Sequence, residues 1–109
     1  MSVALVEQIK NALATLAMPP DRQLVHVQEL GVGNDELALE FGDVAGARRG
    51  LVSKGVLSKA QADSIGAVEQ QLTRISTAGA GRWTDDAVTN GEDWSELRRL
   101  AEVALRRLT

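Results

Sequence analysis

The sequence predicts an all-α protein, an irregular bundle of about four main helices within a single domain covering residues 1–109. Three observations lead there. Apolar residues recur at three- and four-residue steps near both ends of the chain. The only aromatics are Phe41, Trp83 and Trp94, so Leu, Val, Ile and Ala must fill the core, and an aromatic-poor, Ala-rich chain has little strand propensity. Helix-start chemistry, Ser58 with Gln61 and Thr84 with two following acids, stands at the head of two apolar patterns.

The first helix is expected over residues 3–17, with Leu5, Ile9, Leu13 and Leu16 on one stripe and Val6 and Ala12 beside it. Ser2 is a candidate cap. Pro19 and Pro20 end the helix, because neither can continue the hydrogen-bond ladder. Residues 21–43 are ambiguous. Leu24 to Val27 alternates like a strand, while Asp21 to Gln23 suits a helical turn after the prolines. A lone strand would lack a partner, so an extended segment or a short helix is expected, broken at Gly31 and Gly33. Asn34 is a possible cap for a turn at Asp35 and Glu36, but Leu37, Leu39 and Phe41 also alternate. Asp43 suits the cap of a helix over 44–54, weakened by Gly46 and Gly50, with Gly55 as its C-terminal stop.

The next helix is expected over 59–76. Ser58 and Gln61 form a capping box, and Ile65, Val68, Leu72 and Ile75 make the clearest apolar seam in the chain. Residues 76–81 read as a flexible loop. A short extra helix near 85–89 follows, capped by Thr84, with Trp83 and Val88 in the positions of a hydrophobic staple. The last helix is expected over 92–108, burying Trp94, Leu97, Ala101, Ala104, Leu105 and Leu108. Glu102 stands four residues from both Arg98 and Arg106.

Composition narrows the chemistry. Without cysteine there is no disulfide, thiolate metal site or cysteine nucleophile. The N-terminus has no basic stretch before its short apolar run, and no apolar segment approaches the length of a membrane span, so a cytoplasmic protein without membrane association is expected. The net charge of −3 argues against nucleic acid as the main partner. Acids are concentrated: five between Glu29 and Asp43 with no base, and five between Asp85 and Glu96, again with no base.

Each candidate site has an ordinary structural alternative. His26 is the only histidine, which rules out a two-histidine metal site. A general base would need a nucleophile and an orienting acid, and neither is evident. Gly31 and Gly33 imitate a dinucleotide loop, but Glu36 falls where the third glycine belongs. Asp86 to Gly91 imitates a calcium loop and fails at Val88 and Leu97. No cofactor, metal or catalytic residue is therefore expected. The acids Asp35, Glu36, Glu40 and Asp43, and the acids Asp85, Asp86, Glu92 and Asp93, are either solvated faces and helix-start charges or docking surfaces for a basic partner. Trp83 and Trp94 suit the core. Either one, if exposed beside the acids, would serve as a binding anchor, Trp83 being the candidate contact.

Three stretches together, Leu57-Ser58-x-x-Gln61, Trp83-Thr84-x-x-Ala87 and Trp94-x-x-Leu97-Arg98-x-Leu100-Ala101, resemble a pattern in small helical bacterial proteins. Those proteins are similar in size, charge and helicity to immunity proteins of contact-dependent and other polymorphic toxin systems. The resemblance covers about residues 55–108. It implies a bacterial, non-enzymatic protein that binds one toxin domain and occludes its active site, with an acidic surface suited to a nuclease. Three other readings stay open: a self-associating adaptor pairing as a homodimer through the seam at Ile65 to Ile75, a helix-turn-helix regulator using residues 44–54 and 59–76, and an enzyme running on carboxylates and His26.

Overall fold

The computed structural model describes the backbone of residues 2–109 and the side chains from Ala4 onward, and among them it is all-α. The helices are α1 (Ser2–Ala17), α2 (Pro20–Leu30), α3 (Glu36–Ala45), α4 (Arg48–Ser53), α5 (Lys59–Thr77), α6 (Asp85–Asn90) and α7 (Glu92–Leu108), with a 3₁₀ turn at Ala80–Trp83. The capping role expected of Ser2 lies outside the described side chains.

α7 is the axis of the bundle. α1 and α5 pack along it, α3 lies against α1, and α2 lies against α6. One continuous core joins Ile9, Leu13 and Leu16 to the seam of α5 and to Trp94, Leu97, Ala101 and Ala104 of α7. The seam residues Ile65, Val68, Leu72 and Ile75 are buried inside the bundle, so the face expected for pairing with a second copy is already covered.

The last half of the chain follows its local signals. Ser58 Oγ accepts from the Gln61 N–H at 3.1 Å, and Gln61 Oε1 accepts from the Ser58 N–H at 2.8 Å, completing the capping box. Thr84 Oγ1 caps α6 by accepting from the Ala87 N–H at 3.1 Å. Residues 80–83 form a 3₁₀ turn, so the loop expected over 76–81 is shorter than its composition suggested. Among the described residues no helix is long and apolar enough to cross a membrane.

The middle, open between an extended segment and a short helix, takes the helical form: residues 21–43 hold most of two helices. Pro20 occupies the first turn of α2, where its missing N–H would have been unpaired in any residue, so the proline pair ends one helix and starts the next. α2 stops at Gly31, whose φ of 69° is left-handed. There the Gly31 and Val32 N–H groups close onto the Gln28 and Val27 carbonyls in a Schellman turn. Leu37, Phe41 and Ala45 are buried and Leu39 is exposed, which is a helical stripe and not strand alternation. Asp43 lies inside α3 and does not cap a following helix. The helix expected over 44–54 is really the end of α3, a turn at residues 46–47, and α4. Gly55, at φ 73°, does end α4, as its position implied.

The final helix also corrects one pairing. Glu102 meets Arg106 at 3.5 Å, but Arg98 turns inward. Its Nη1 donates to Gln23 Oε1 and to the Val88 carbonyl, both at 3.0 Å. Gln23, fully buried, donates from Nε2 to the Thr15 and Leu16 carbonyls at 3.2 and 2.9 Å. Two helix C-termini, those of α1 and α6, are thus satisfied by side chains from other helices. Burial lowers the Arg98 pKa from its ordinary value, yet a guanidinium stays charged.

Candidate functional site

The surface that stands out chemically is made by α2, α3 and the turn between them. The buried side of α2 carries Gln23 and Val27, leaving Val25 half exposed on the other side. Val25, Leu30, Val32 and Leu39 are four of the six large aliphatic side chains that the described fold leaves exposed. From Glu29 to Ala47 the chain has no base, so Leu30, Val32 and Leu39 lie in an acid-only stretch, while Val25 has Arg22 and His26 beside it on α2. On α3, exposed Leu39 has exposed Asp35 four residues before it and exposed Asp43 four residues after it, so one helical stripe reads acid, leucine, acid.

Glu36 and Glu40 are half-buried on the same helix. Glu40 is held by His26, whose Nε2 lies 3.2 and 3.3 Å from its two carboxylate oxygens, and this pair ties α2 to α3. His26 thus has an acid partner, and its observed role is to fix one helix of the face against the other.

The second acidic run joins the first through Asn34. This buried side chain does not cap α3. Its Nδ2 donates to the Trp83 carbonyl and to Asp85 Oδ1, both at 2.9 Å. The turn before α3 therefore touches the start of α6, and Asp35 follows directly on the residue that binds Asp85. Asp86 is exposed and accepts from Asn90 Nδ2 at 2.9 Å, while Glu92 is exposed at the start of α7.

Asp93 is used differently. Its Oδ2 accepts from Arg82 Nε at 2.8 Å, and its Oδ1 accepts from Arg82 Nη2 at 2.6 Å and from the Trp94 N–H at 2.8 Å. It clamps the 3₁₀ turn to the head of α7, so it is engaged inside the protein. Arg82's hydrogen bonds hold the Asp93 carboxyl below the ordinary carboxylate range, with the Trp94 N–H acting the same way and burial opposing. A depressed folded value gives stability that is full above the unfolded carboxyl pKa and lost as pH falls through the folded one. Asp93→Asn should therefore be less stable than the parent at neutral pH, and the gap should close in acid. Denaturant titrations at several pH values check this; a gap that stays constant into acid would show that the pair does not contribute through its charge.

Trp94 is fully buried, and its Nε1 donates to the Arg82 carbonyl at 2.7 Å. Trp83 is half-buried and stands edge-on to Trp94, with ring centroids 5.6 Å apart and planes at 84°. Its carbonyl accepts from Asn34 Nδ2, so Trp83 borders the acidic junction with its ring partly exposed.

Family models, curated proteins and solved structures give no match to this chain.

Among the described residues, no three His, Asp or Glu side chains gather as a metal site. Of the acids singled out from sequence, Asp35, Asp43, Asp85, Asp86 and Glu92 are exposed, Glu36 and Glu40 are half-buried, and Asp93 is clamped. Sequence reasoning missed the exposed aliphatics between them. The available signal was Leu39 at four-residue spacing from Asp35 and Asp43, which becomes visible only once the segment is read as a helix.

Proposed function

We propose that this protein is a non-catalytic binding protein whose α2–α3 face docks a basic protein surface, and that it acts as an immunity-type inhibitor covering the substrate face of a toxin domain such as a nuclease. The observation that carries the reading is the interleaving of Leu30, Val32 and Leu39 with acids on a stretch that has no base, with exposed Val25 extending the apolar surface onto α2. Exposed aliphatics are ordinary when scattered and informative when grouped. Acids steer a basic partner toward the face and set its orientation, while the aliphatics supply desolvated contact once it lands. A nuclease presents a basic surface to its substrate, so a rigid acidic face inhibits by occupying it, without chemistry.

The test starts from a basic partner co-purified at low salt from cells of the source organism and then released by rising salt. Against that purified partner, Asp35→Lys with Asp43→Lys should slow association by about tenfold or more at low ionic strength. Leu39→Ala should speed dissociation with little effect on association. Association rates equal to the parent in the charge-reversed variant would end the electrostatic reading. A partner whose activity is unchanged in the complex would end the inhibitor reading.

A further inference from the structure

Away from the acidic face, α4 and α5 enclose an open groove of about 520 Å³. Arg48 crosses it. Its Nη1 donates to the Ala45 carbonyl at 3.0 Å and to Glu69 Oε2 at 2.6 Å, and the side chain is only 16 % exposed. One nitrogen is therefore anchored, and the guanidinium is held in place. Among the described residues, its Nε and Nη2 make no hydrogen bond. Those two nitrogens form an edge with parallel donors, the geometry that takes both oxygens of a carboxylate.

The opposite wall at this point is Gly66. A Cβ there would stand 3.7 Å from Arg48 Nε and 3.9 Å from Nη2, so any side chain at residue 66 would close the groove against the unbonded edge. Arg49, exposed and without an ion pair among the described residues, adds a second cation at the lip. Val52 supplies an apolar wall, and Gln70 supplies an amide. The charges set the valence of the ligand. Arg48 and Arg49 are balanced by Glu69 and Asp63, so the groove has no net charge to hold a phosphate dianion, and an anion is held there by the directed donors of Arg48 alone.

We propose that this groove binds a carboxylate attached to a short aliphatic body, with the carboxylate paired to Arg48 Nε and Nη2, Arg49 offsetting the acids, and the aliphatic part against Val52. Such a group belongs either to a free small acid or to the end of a peptide chain. The site is independent of the α2–α3 face and does not rest on the inhibitor reading.

The test is an amide and arginine side-chain NMR titration of the whole protein with isobutyrate, isobutyramide, N-acetylalanylvaline and inorganic phosphate. Isobutyrate should saturably shift the Gly66 amide and the Arg48 Nε–H, and the uncharged isobutyramide should not. Tighter binding of the acetylated dipeptide assigns the natural ligand to a chain end, and weaker binding assigns it to a free acid. Gly66→Ala, whose added methyl makes only ordinary contacts, should keep the fold and bind isobutyrate about tenfold more weakly. Arg49→Ala should weaken it without altering the fold. Equal shifts from isobutyramide, undiminished binding in Gly66→Ala, or saturation by phosphate at lower concentration than isobutyrate would each overturn the proposal.

Discussion

Gln23→Leu should lower the stability of this protein by about 3 kcal/mol, because it leaves buried carbonyls and a half-buried cation without their partners. Gln23 is fully buried and makes three hydrogen bonds, two from Nε2 to the end of α1 and one to Oε1 from Arg98. Leucine keeps the volume and removes all three. Arg98 has no carboxylate partner among the described residues; its charge rests on Gln23 Oε1 and on the Val88 carbonyl at the end of α6. The negative end of α6, together with the Gln23 amide oxygen, therefore stands in for a counter-ion. Arg98→Met removes the cation and should itself be destabilising, since Gln23 Oε1 and the Val88 carbonyl lose their donor. The double variant should cost less than the sum of the two single variants by about 1 kcal/mol or more, because with both partners gone neither the Arg98 cation nor Gln23 Oε1 is left unsatisfied. Urea denaturation followed by tryptophan fluorescence measures all three, with buried Trp94 as reporter. Additive losses, or a loss below about 1 kcal/mol for Gln23→Leu, would mean that water replaces these bonds at little penalty.

This network also marks how far the chain could be read without its structure. α5, α6 and α7 are legible because their signals are local: Ser58 and Gln61 satisfy each other, Thr84 reaches Ala87 within one turn, and the apolar stripe of α7 from Trp94 to Ala104 has an unmistakable helical spacing. α2 and α3 are not, because their local evidence is balanced. Leu37, Leu39 and Phe41 fit a period of two as well as a helix, and only packing decides that Leu39 faces solvent while Leu37 and Phe41 enter the core. The proline pair was legible as a stop and only as one of two readings as a start, although the same missing N–H explains both. The acidic runs could be seen in the sequence, but their separate fates could not. Asp93 is engaged by Arg82 eleven residues away, and Asp85 by Asn34 across 51 residues. The inward turn of Arg98 was hidden for the same reason: Glu102 offered a nearer partner by spacing, whereas Gln23 lies 75 residues away.

The head of α7 carries the second large effect. Gly91→Ala should destabilise the protein by about 2–3 kcal/mol through overpacking, although residue 91 has an ordinary φ of −71° that alanine adopts freely. The difficulty is space. A Cβ at 91 would lie 2.5 Å from the Ala87 carbonyl oxygen, 2.5 Å from Arg82 Nη2 and 2.6 Å from Asp93 Oδ1. The first of these is backbone, and it accepts the Gly91 N–H at 2.8 Å, so relief requires the end of α6 to shift relative to α7. The other two are the arms of the clamp between the 3₁₀ turn and α7, which must open to admit the methyl. Two consequences separate this account from a general loss of packing. Adding Asp93→Asn to Gly91→Ala should cost little more than Gly91→Ala alone, because the clamp is already broken. The acid-dependent part of the stability assigned to Asp93 should also disappear in the alanine variant. Gly66→Ala provides the contrast, since its methyl meets nothing closer than 3.7 Å and replaces a mid-helix glycine, for which a gain of about 0.5–1 kcal/mol is expected. Thermal unfolding of the two alanine variants should therefore move in opposite directions. A Gly91→Ala protein as stable as the parent would show that the junction of α6 and α7 has more freedom than the Arg82–Asp93 clamp allows.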